Sequence, residues 1–494
     1  MANLSIFLCV FLAITIACCC GQSALASHDH TGKKKPRDGD RDWSPKHSPP
    51  SHKAPKAPKV RSPPLFEDES PPPPHHAPKA PKAPKVRSPP PFEDEPPLPP
   101  HHAPKPPKAP KAPKAPKVKS PPPAKAPPPP SVTLPRSPPP PRSSSPLTGK
   151  EFDVKSYGAV GDGKHDDAQA FLDAYNAACQ AGDNAVILVD GTLHAIPRSA
   201  WLSKFSSEKS WLLFTKVTDF TLTGGTFNGN GQDWWAHSCK KDKSQRCTDA
   251  PTAVRFEDSK NIKVEGITIT NSPQIHITFS DSQAIQATNV VINSPESSPN
   301  TDGIHVSGST NVVVRDGDIS AGDDCVSIVS GSSNIQVLGG RCGPGHGISI
   351  GSLGKGGSYA TVSNVQVSGV KIDAATNGVR IKTWQGGKGY VSNVIFENIS
   401  MDNVKNPIII DQNYCDGGCG KKRGSSLTIQ GVTYSNIVGT SASPDGINLH
   451  CSSSGACTNI HFSNVKLTLG SSGKAAGAVC ENVQGYTSDC RSSS

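Results

Sequence analysis

Short runs of apolar and β-branched residues recur through the C-terminal two thirds of the chain, and most of them begin with asparagine. The runs start at Asn261, Asn289, Asn311, Asn334, Asn364, Asn393 and Asn459. The first six starts are 28, 22, 23, 30 and 29 residues apart, with Gly, Asn and Ser between the runs. Each run is too short to be a stable sheet alone, but stacking at a fixed period covers it with its neighbours. The pattern predicts a parallel β-solenoid with asparagines stacked in left-handed turns.

A β-sandwich is the main alternative fold. Its strands usually come every ~8–12 residues with plain alternation of apolar and polar positions, which these runs do not follow. The gap between Asn393 and Asn459 is longer than the others, and we expect the apolar run over 427–437 to fill it. The fold class expected is therefore all-β.

One helix is predicted in front of the repeats. Apolar residues follow helical spacing between Ala168 and Cys179, at Phe171, Leu172, Tyr175 and Ala178. Asp166 or Asp167 can cap the start of this segment. We interpret it as an amphipathic helix that caps the end of the solenoid.

The first 26 residues resemble a secretory signal peptide. An apolar run extends from Ile6 to Cys20, and small residues follow at Ala24-Leu25-Ala26. No Lys or Arg precedes the run, and cleavage just after Gly21 fits equally well. The run is shorter than the ~20 residues that cross a bilayer, so we expect a secreted protein without a membrane anchor.

Composition divides the remaining chain into two parts. Residues 27–150 contain 24 Lys/Arg and 10 Asp/Glu, a net charge of +14. The rest of the chain contains 27 Lys/Arg and 31 Asp/Glu, a net charge of −4, and the total is +10. The basic part is rich in proline, and its segment 60–64 recurs as 86–90. Such a sequence cannot bury enough apolar surface to fold. We predict a disordered, polyproline II-like region over 27–149 and a folded domain over 150–494.

Serines followed by four prolines, at Ser70 and Ser137, resemble extensin-type cell-wall sequences. Two interpretations of the Pro/Lys-rich region stay open. Its lysines can hold the protein electrostatically on anionic wall pectin, or the region can be an inert spacer. Nucleic acid is a poor third candidate, because aromatic residues are not interleaved with the basic ones. We expect no nucleic-acid partner, no membrane partner and a monomer.

Of the 15 cysteines, 11 lie between Cys179 and Cys490. In an exported chain they are expected to form disulfides. Short loops can be closed by the pairs Cys239 with Cys247, Cys325 with Cys342, Cys415 with Cys419, Cys451 with Cys457, and Cys480 with Cys490. Cys179 is then left over as a buried thiol. Zinc at Cys415 and Cys419 would need further ligands that do not occur at the usual spacing.

Four motifs concentrate charged side chains within residues 300–382. They read Asn300-Thr301-Asp302-Gly303, Gly322-Asp323-Asp324-Cys325, Gly345-His346-Gly347 and Arg380-Ile381-Lys382. Asp302 and Asp323 are 21 positions apart, and Asp324 and His346 are 22 apart, so a solenoid of this period stacks them on neighbouring turns. Crowded carboxylates repel, which raises some pKa values and leaves an acid beside a base. This arrangement is typical of a hydrolase.

These four motifs, in this order, resemble those of plant polygalacturonases, which are pectin-cleaving glycoside hydrolases. The similarity spans residues 150–494 and does not extend to the proline-rich region. The resemblance implies a right-handed parallel β-helix. It also implies hydrolysis, with inversion, of the α-1,4 bonds between galacturonic acid residues of homogalacturonan, and we expect endo action. An exo-acting enzyme, or a related hydrolase of rhamnogalacturonan or xylogalacturonan, is the alternative.

By the same resemblance, Asp323 is the catalytic acid and Asp302 and Asp324 activate water. The chemistry agrees, because an inverting glycosidase needs one protonated carboxyl and, on the opposite side, a carboxylate that activates water. His346 would share a hydrogen bond with the acid and help it keep or regain a proton. A pectate lyase could share the solenoid but would need calcium, so we expect neither a cofactor nor a metal.

The remaining motif residues are expected to bind substrate. Arg380 and Lys382 point to the same face of a strand, where they can bind the carboxylates of an acidic sugar. Asn300 positions Asp302 or touches sugar. Tyr414 aligns with an aromatic position of the family's groove, although a packing role is nearly as well supported. Asn398 begins an N-glycosylation sequon and is the glycosylation candidate.

Overall fold

The computed structural model describes residues 5–6, 149–162, 165–181, 184–416, 424–485 and 491–492. The predicted signal peptide over 1–26, apart from Ser5–Ile6, and the predicted proline-rich region, apart from its last residue, lie outside the described residues. Cys419 and Cys490 also lie outside them.

In the described residues, most coils contribute three parallel strands, one to an eleven-stranded sheet and two to a twenty-stranded sheet. In the C-terminal coils the two strands of the twenty-stranded sheet merge into one long strand, such as Lys388–Val404. We call the eleven-stranded sheet the site sheet and the other the large sheet. The strands pair only with their counterparts on the coils before and after, so the chain winds as a right-handed parallel β-helix. The all-β solenoid prediction is confirmed.

In the described part of the chain, the site sheet contains β5 (Ser210–Thr215), β8 (Thr252–Glu257), β11 (Ile277–Ser280), β14 (Ile304–Ser307), β17 (Val326–Ile328), β20 (Ile348–Leu353), β23 (Asn377–Trp384), β25 (Asn406–Tyr414), β27 (Asp445–His450), β29 (Gly477–Glu481) and β31 (Arg491–Ser492). The large sheet contains β1 (Ser5–Ile6), β2 (Lys150–Asp153), β3 (Ala185–Leu188), β4 (Thr192–His194), β6 (Thr218–Thr223), β7 (Thr226–Asn228), β9 (Lys260–Glu265), β10 (Thr268–Thr270), β12 (Gln283–Thr288), β13 (Val291–Asn293), β15 (Thr310–Arg315), β16 (Asp318–Ser320), β18 (Ser332–Leu338), β19 (Arg341–Cys342), β21 (Tyr359–Ser368), β22 (Lys371–Asp373), β24 (Lys388–Val404), β26 (Thr428–Ser441), β28 (Cys457–Leu469) and β30 (Val483–Gln484).

The core is a set of apolar columns that run along the axis of the coil. Alternate residues of each strand point inward, so each column holds the same position on successive coils. One column of the site sheet is Val254, Ile277, Ile304, Val326, Ile348, Val379 and Ile408, all at most 1% exposed. Stacking continues the column at each coil, which explains why short runs are sufficient.

Asparagine ladders line two corners of the coil. The Nδ2 groups of Asn334, Asn364 and Asn393 each donate to the Oδ1 of the preceding ladder member, at 3.0–3.2 Å, and the ladder begins at Asn311. These residues have φ of 56–58°, the left-handed conformation that asparagine tolerates. The predicted stacking of asparagines is confirmed.

The predicted register was wrong at one turn. Lys260 pairs with Gln283, so the counterpart of Asn261 is Ala284 (φ 58°) rather than Asn289. Asn289 instead lies at the next corner, between β12 and β13. On this coil alanine takes the ladder position that asparagine occupies on the coil before it. The apolar run over 427–437 falls within β26, as expected.

The predicted capping helix is α1 (Ala168–Gln180), which buries Phe171, Ala174 and Tyr175. Asp166 Oδ1 accepts a bond from the backbone N–H of Ala168, whereas the Asp167 carboxylate binds the backbone N–H groups of the preceding loop. In the part of the sequence that the structure describes, the other helices are α2 (Arg198–Lys204) and α3 (Gln232–Ala236), with 3₁₀ turns at Val154–Tyr157, Lys355–Gly357 and Gly470–Ser472. Within the described residues, none of the helices is both long and apolar enough to cross a membrane.

Three predicted disulfides are present with both partners described: Cys239–Cys247, Cys325–Cys342 and Cys451–Cys457. Cys415 and Cys480 are also disulfide-bonded. Cys179 is bonded too, so the expectation that it is a free thiol is wrong. Counting only the cysteines after residue 26 left an odd number, and parity alone could not decide which cysteine was unpaired.

Removing the Cys325–Cys342 bridge should weaken both the fold and the turn that carries Asp324. The bridge is buried and closes a loop with a sequence separation of 17. We expect the Cys325→Ala/Cys342→Ala pair to lower the free energy of unfolding by about 3 kcal/mol, measured by denaturant titration, and to lower kcat. The matched control is Cys239→Ala/Cys247→Ala, whose separation is 8. An equal loss of kcat in both pairs would contradict a local role.

Candidate active site

The motif residues lie on the outer side of the site sheet, in the turns that lead into three successive strands. Asp302, Asp324 and His346 each precede the first core residue of β14, β17 and β20 by two positions. Backbone bonds hold these turns in register: Gly303 N–H donates to the Asp324 carbonyl at 2.8 Å, and His346 N–H to the Asp323 carbonyl at 2.8 Å. The turns therefore stack, as the motif spacing predicts.

Asp323 and His346 form a hydrogen-bonded pair at the more open part of the site. Their Oδ1 and Nδ1 atoms are 2.9 Å apart, and the side chains are 16% and 39% exposed. Asn300, exposed and with φ of 53°, donates from Nδ2 to the other oxygen of Asp323 at 3.2 Å. Asn300 therefore binds Asp323, whereas one interpretation of the sequence had Asn300 positioning Asp302.

Asp324 is buried and bound by two cations. Arg380 Nη2 lies 2.7 Å from Oδ1, and Lys382 Nζ lies 2.9 Å from Oδ2. Ser349 donates to Oδ1 at 2.7 Å and accepts from Arg380 Nε at 2.9 Å. The Asp324 side chain is only 2% exposed. Both of its oxygens are therefore occupied by donors.

Asp302 is bound differently. Its Oδ2 accepts the hydroxyl of Ser327 at 2.7 Å. Its backbone carbonyl lies 2.8 Å from Nδ1 of the buried His276, whose Nε2 lies 2.8 Å from Ser294 Oγ. His276 therefore braces the backbone of this turn, while Ser327 holds the carboxylate.

The surroundings of Asp302 and Asp323 shift their pKa values in opposite directions. Burial, and then the charges of Asp323 and Asp324, raise the pKa of Asp302. Burial would also raise the pKa of Asp323, but the hydrogen bond and charge of His346 and the charge of Lys382 outweigh it and lower the pKa. The bond to Asp323 in turn raises the pKa of His346. In the free site, a proton on Asp302 and one on His346 are favoured over a proton on Asp323.

Tyr414 lies beside the cations. Lys382 Nζ is 5.4 Å from its ring centroid, and the ring meets Trp384 edge-on at 5.3 Å. Lys355 Nζ lies 5.3 Å from the Trp384 ring. The structure thus brings Tyr414 to the site and also gives it a packing role. Asn398 is exposed on β24, where its Oδ1 accepts from Asn436 in a second asparagine ladder.

Asp323, Asp324 and His346 can also be considered as metal ligands, since one donor atom from each lies within 4.8 Å of the others. However, Asp324 is already bound to Arg380, Lys382 and Ser349, and His346 is bound to Asp323. Two cations in contact with a carboxylate disfavour a third positive charge there. The donor set fits acid–base chemistry better than metal binding.

Sequence reasoning missed Ser327, Ser349 and His305. They lie in one outward row with Arg380, because His305 pairs with Ser327, Ser327 with Ser349, and Ser349 with Arg380. Each of the three follows its motif residue, Asp302, Asp324 or His346, by three positions. This common offset of three positions is the sequence signal that could have identified the three residues, but it can be recognised only when the coil register is known.

The His346–Asp323 bond predicts a pH window of stability. The pKa of His346 is raised from 6.5, so its contribution is complete below about pH 6.5 and is lost as pH rises through the raised value. The pKa of Asp323 is lowered from 3.8, so its contribution is present above about pH 3.8 and is lost as pH falls through the lowered value. We expect His346→Gln to lower Tm at pH 5 and to have little effect at pH 9. His461→Gln, on an exposed strand position, is the control; the same pH-independent decrease in both variants would refute the bond's contribution.

Comparison with known proteins identifies related chains. The family model "Glycosyl hydrolases family 28" matches residues 166–491. Polygalacturonase-2 of Solanum lycopersicum is 45% identical over 362 residues, which cover 68% of this chain and 78% of the relative. Polygalacturonase QRT2 of Arabidopsis thaliana is 42% identical over 367 residues, covering 69% and 82%.

Solved structures with the same fold are also found. The endo-xylogalacturonan hydrolase from Aspergillus tubingensis matches with a TM-score of 0.61 and 24% identity, over 70% of this chain and 100% of that chain. A hyperthermoactive exopolygalacturonase from Thermotoga maritima matches with a TM-score of 0.54 and 19% identity, over 69% and 90%. At these identities the likeness supports the fold alone.

Proposed function

This chain belongs to the glycosyl hydrolases family 28, and from that premise we propose that it hydrolyses the α-1,4 bonds between galacturonic acid residues of pectin. The observation that carries the proposal is the Asp323–His346 pair lying within 4.8 Å of an Asp324 held by two cations. Relatives named polygalacturonases, at 42–45% identity over most of their length, support it.

Asp323 delivers the proton to the leaving oxygen. Its side chain is more open than that of Asp324, and His346 beside it holds a proton on Nδ1. That proton moves from Nδ1 to Asp323 Oδ1, and Asp323 then protonates the glycosidic oxygen as the bond from that oxygen to the anomeric carbon breaks. Asn300 holds the second oxygen of Asp323 and so fixes the plane of the carboxyl.

Asp302 takes the proton of the attacking water. Both oxygens of Asp324 are bound to cations, whereas Ser327 binds only Oδ2 of Asp302. A raised pKa makes the ionised form of Asp302 a stronger base. Water attacks the anomeric carbon from the face opposite the leaving group, which inverts its configuration. Asp324 then contributes chiefly by keeping Arg380 and Lys382 in place.

Arg380 and Lys382 recognise the acidic sugar. Arg380 uses Nε and Nη2 for Ser349 and Asp324, which leaves the N–H groups of Nη1 for a substrate carboxylate. Lys382 binds Asp324 and faces Tyr414, and an ammonium has three donors. Two cations on one outward face suit a polymer with a carboxylate on every sugar. Methyl esters would remove those charges, so de-esterified pectin is the preferred substrate.

We expect endo action on homogalacturonan. The test is release of reducing sugar from polygalacturonate by the purified protein, followed by chromatography of the early products. A ladder of oligomers supports endo action, whereas free monosaccharide alone means exo action. Release only from xylogalacturonan or rhamnogalacturonan would replace the proposed substrate. Unsaturated products, or activity lost on adding a chelator, would overturn hydrolysis itself.

The protein acts outside the cell, in the wall, with residues 1–26 as its leader and the lysine-rich region as an electrostatic anchor. The support is compositional: residues 27–150 carry a net +14, and pectin is anionic. Deleting residues 33–146 should spare hydrolysis of soluble substrate and weaken retention on wall material at low salt. Equal retention of both proteins would favour a spacer.

A further inference from the structure

A hydrogen-bonded chain leads to Asp302 through Ser327, which is buried, and His305, which is half-buried. Ser327 Oγ lies 2.7 Å from Asp302 Oδ2, and His305 Nδ1 lies 2.7 Å from Ser327 Oγ. Ser327 is 2% exposed and lies beside His305 in the site sheet. The backbone register of β14 and β17 therefore sets this contact, independently of any substrate.

The direction of the chain follows from counting hydrogens. A serine hydroxyl has one hydrogen, which is used when Ser327 donates to an ionised Asp302. His305 Nδ1 must then carry a hydrogen and donate to Ser327 Oγ. Burial lowers the pKa of His305 to about 4; the charge of Asp324 opposes this, and the charges of Lys382 and Arg255 add to it. A neutral imidazole with its hydrogen on Nδ1 meets both conditions.

Asp302 needs such a donor because its surroundings favour its neutral form. Burial has the largest effect on its pKa, the charges of Asp323 and Asp324 in the turn before β17 add to it, and the charge of Lys382 on β23 opposes it. The charged groups further out are His346, Arg380 and Arg255, which bind Asp323, Asp324 and Glu257 respectively. The hydrogen bond from the Ser327 hydroxyl and the charge of Lys382 favour the carboxylate of Asp302.

We propose that His305 is a positioning residue that acts through Ser327: its Nδ1 hydrogen turns the serine hydroxyl toward Asp302 and keeps that carboxylate ready to accept a proton from water. The inference rests on the proposed hydrolysis and on Asp302 as its base. His305 does not touch the reacting atoms. Its effect is on how much of the enzyme has an ionised base at a given pH.

The test is the pH profile of kcat/KM on polygalacturonate for Ser327→Ala, His305→Leu and His305→Asn. The acidic limb of this profile reports ionisation of the base in the free enzyme. A hydrogen bond to a charged group is worth enough to move that limb upward by about one to two pH units in Ser327→Ala. His305→Leu should move it the same way, by a smaller amount. In His305→Asn the amide N–H takes the place of the Nδ1 hydrogen, so the limb should stay close to that of the unaltered protein.

Thr278→Val is the matched control. Thr278 pairs with His305 in the same outward row, and its buried hydroxyl has no hydrogen-bond partner among the residues that the structure describes. This substitution disturbs the row without touching the chain to Asp302, so its acidic limb should not move. Thermal unfolding of every variant separates a shifted limb from loss of fold.

The possible results distinguish a failure of the positioning role of His305 from a failure of the proposed hydrolysis. An unmoved acidic limb in Ser327→Ala, or equal shifts in His305→Leu and His305→Asn, would overturn the positioning role while leaving the hydrolase intact. If Ser327→Ala does not fold, the comparison of the two His305 variants decides alone. Full activity in Asp302→Asn would instead remove the base from the proposed mechanism, a failure that the His305 variants cannot produce.

Discussion

Asp323→Asn is expected to lower kcat on polygalacturonate by about 10²–10⁴-fold, the usual contribution of a positioned general acid. The amide has nearly the same shape and can still accept a bond at one position, so the fold and substrate affinity should change little. It cannot pass the His346 proton to the leaving oxygen. Steady-state kinetics, with calorimetric binding of a galacturonate oligomer, measures both effects.

Asp316→Asn is the control for this substitution. Asp316 is exposed with φ of 51°, a conformation that asparagine adopts readily, and it lies outside the site. Its kcat should be unchanged. Turnover by Asp323→Asn within a few-fold of the unaltered protein would transfer the role of acid to Asp302, the carboxyl whose pKa is raised in the free site.

The largest effect on stability is expected for Asp324→Ala, which should lower the free energy of unfolding by about 3–5 kcal/mol. The side chains of Arg380 and Lys382 are 12% and 9% exposed, and both bind this carboxylate. Its removal leaves two cations that are neither paired nor fully hydrated. Denaturant titration measures the loss, and activity should disappear at the same time because the cations lose their positions.

A second variant and a surface pair sharpen this prediction. Asp324→Asn/Lys382→Met removes one buried charge of each sign, so it should be more stable than Asp324→Ala. Asp416→Ala breaks an exposed ion pair in which the side chain of Lys240 is 47% exposed and that of Asp416 is 51% exposed. That change should cost no more than about 1 kcal/mol. Similar losses in Asp324→Ala and Asp416→Ala would mean that the buried cations do not depend on Asp324.

The architecture was accessible from the sequence because it repeats. Apolar runs with asparagine at their start predicted parallel coils, and stacked, left-handed asparagines such as Asn334 and Asn364 bear this out. The coil containing Ala284 was misplaced, since a non-asparagine residue there takes the same left-handed conformation. A search for asparagine alone does not detect a position where another residue, such as Ala284, adopts the same left-handed conformation.

The site was accessible in part. Motif spacing predicted that the carboxyls and His346 would lie on adjacent coils, and they do. The sequence did not predict that Arg380 and Lys382 bind Asp324, because the two cations come from β23 and the aspartate from a turn two coils earlier. The assignment of Asp323 as the catalytic acid stays a prediction. The position of a proton depends on burial and on neighbours such as His346 and Ser327, which spacing alone does not define.

The stacking of single turns on one another has a consequence for biosynthesis. The reactive groups come from consecutive windings, Asp302 first and Lys382 last, so no isolated winding can contain the centre. A nascent chain that has not yet extended past Lys382 leaves Asp324 without its counter-charges. Competence for catalysis should therefore appear abruptly as synthesis and winding pass β23, rather than grow in proportion to the length made.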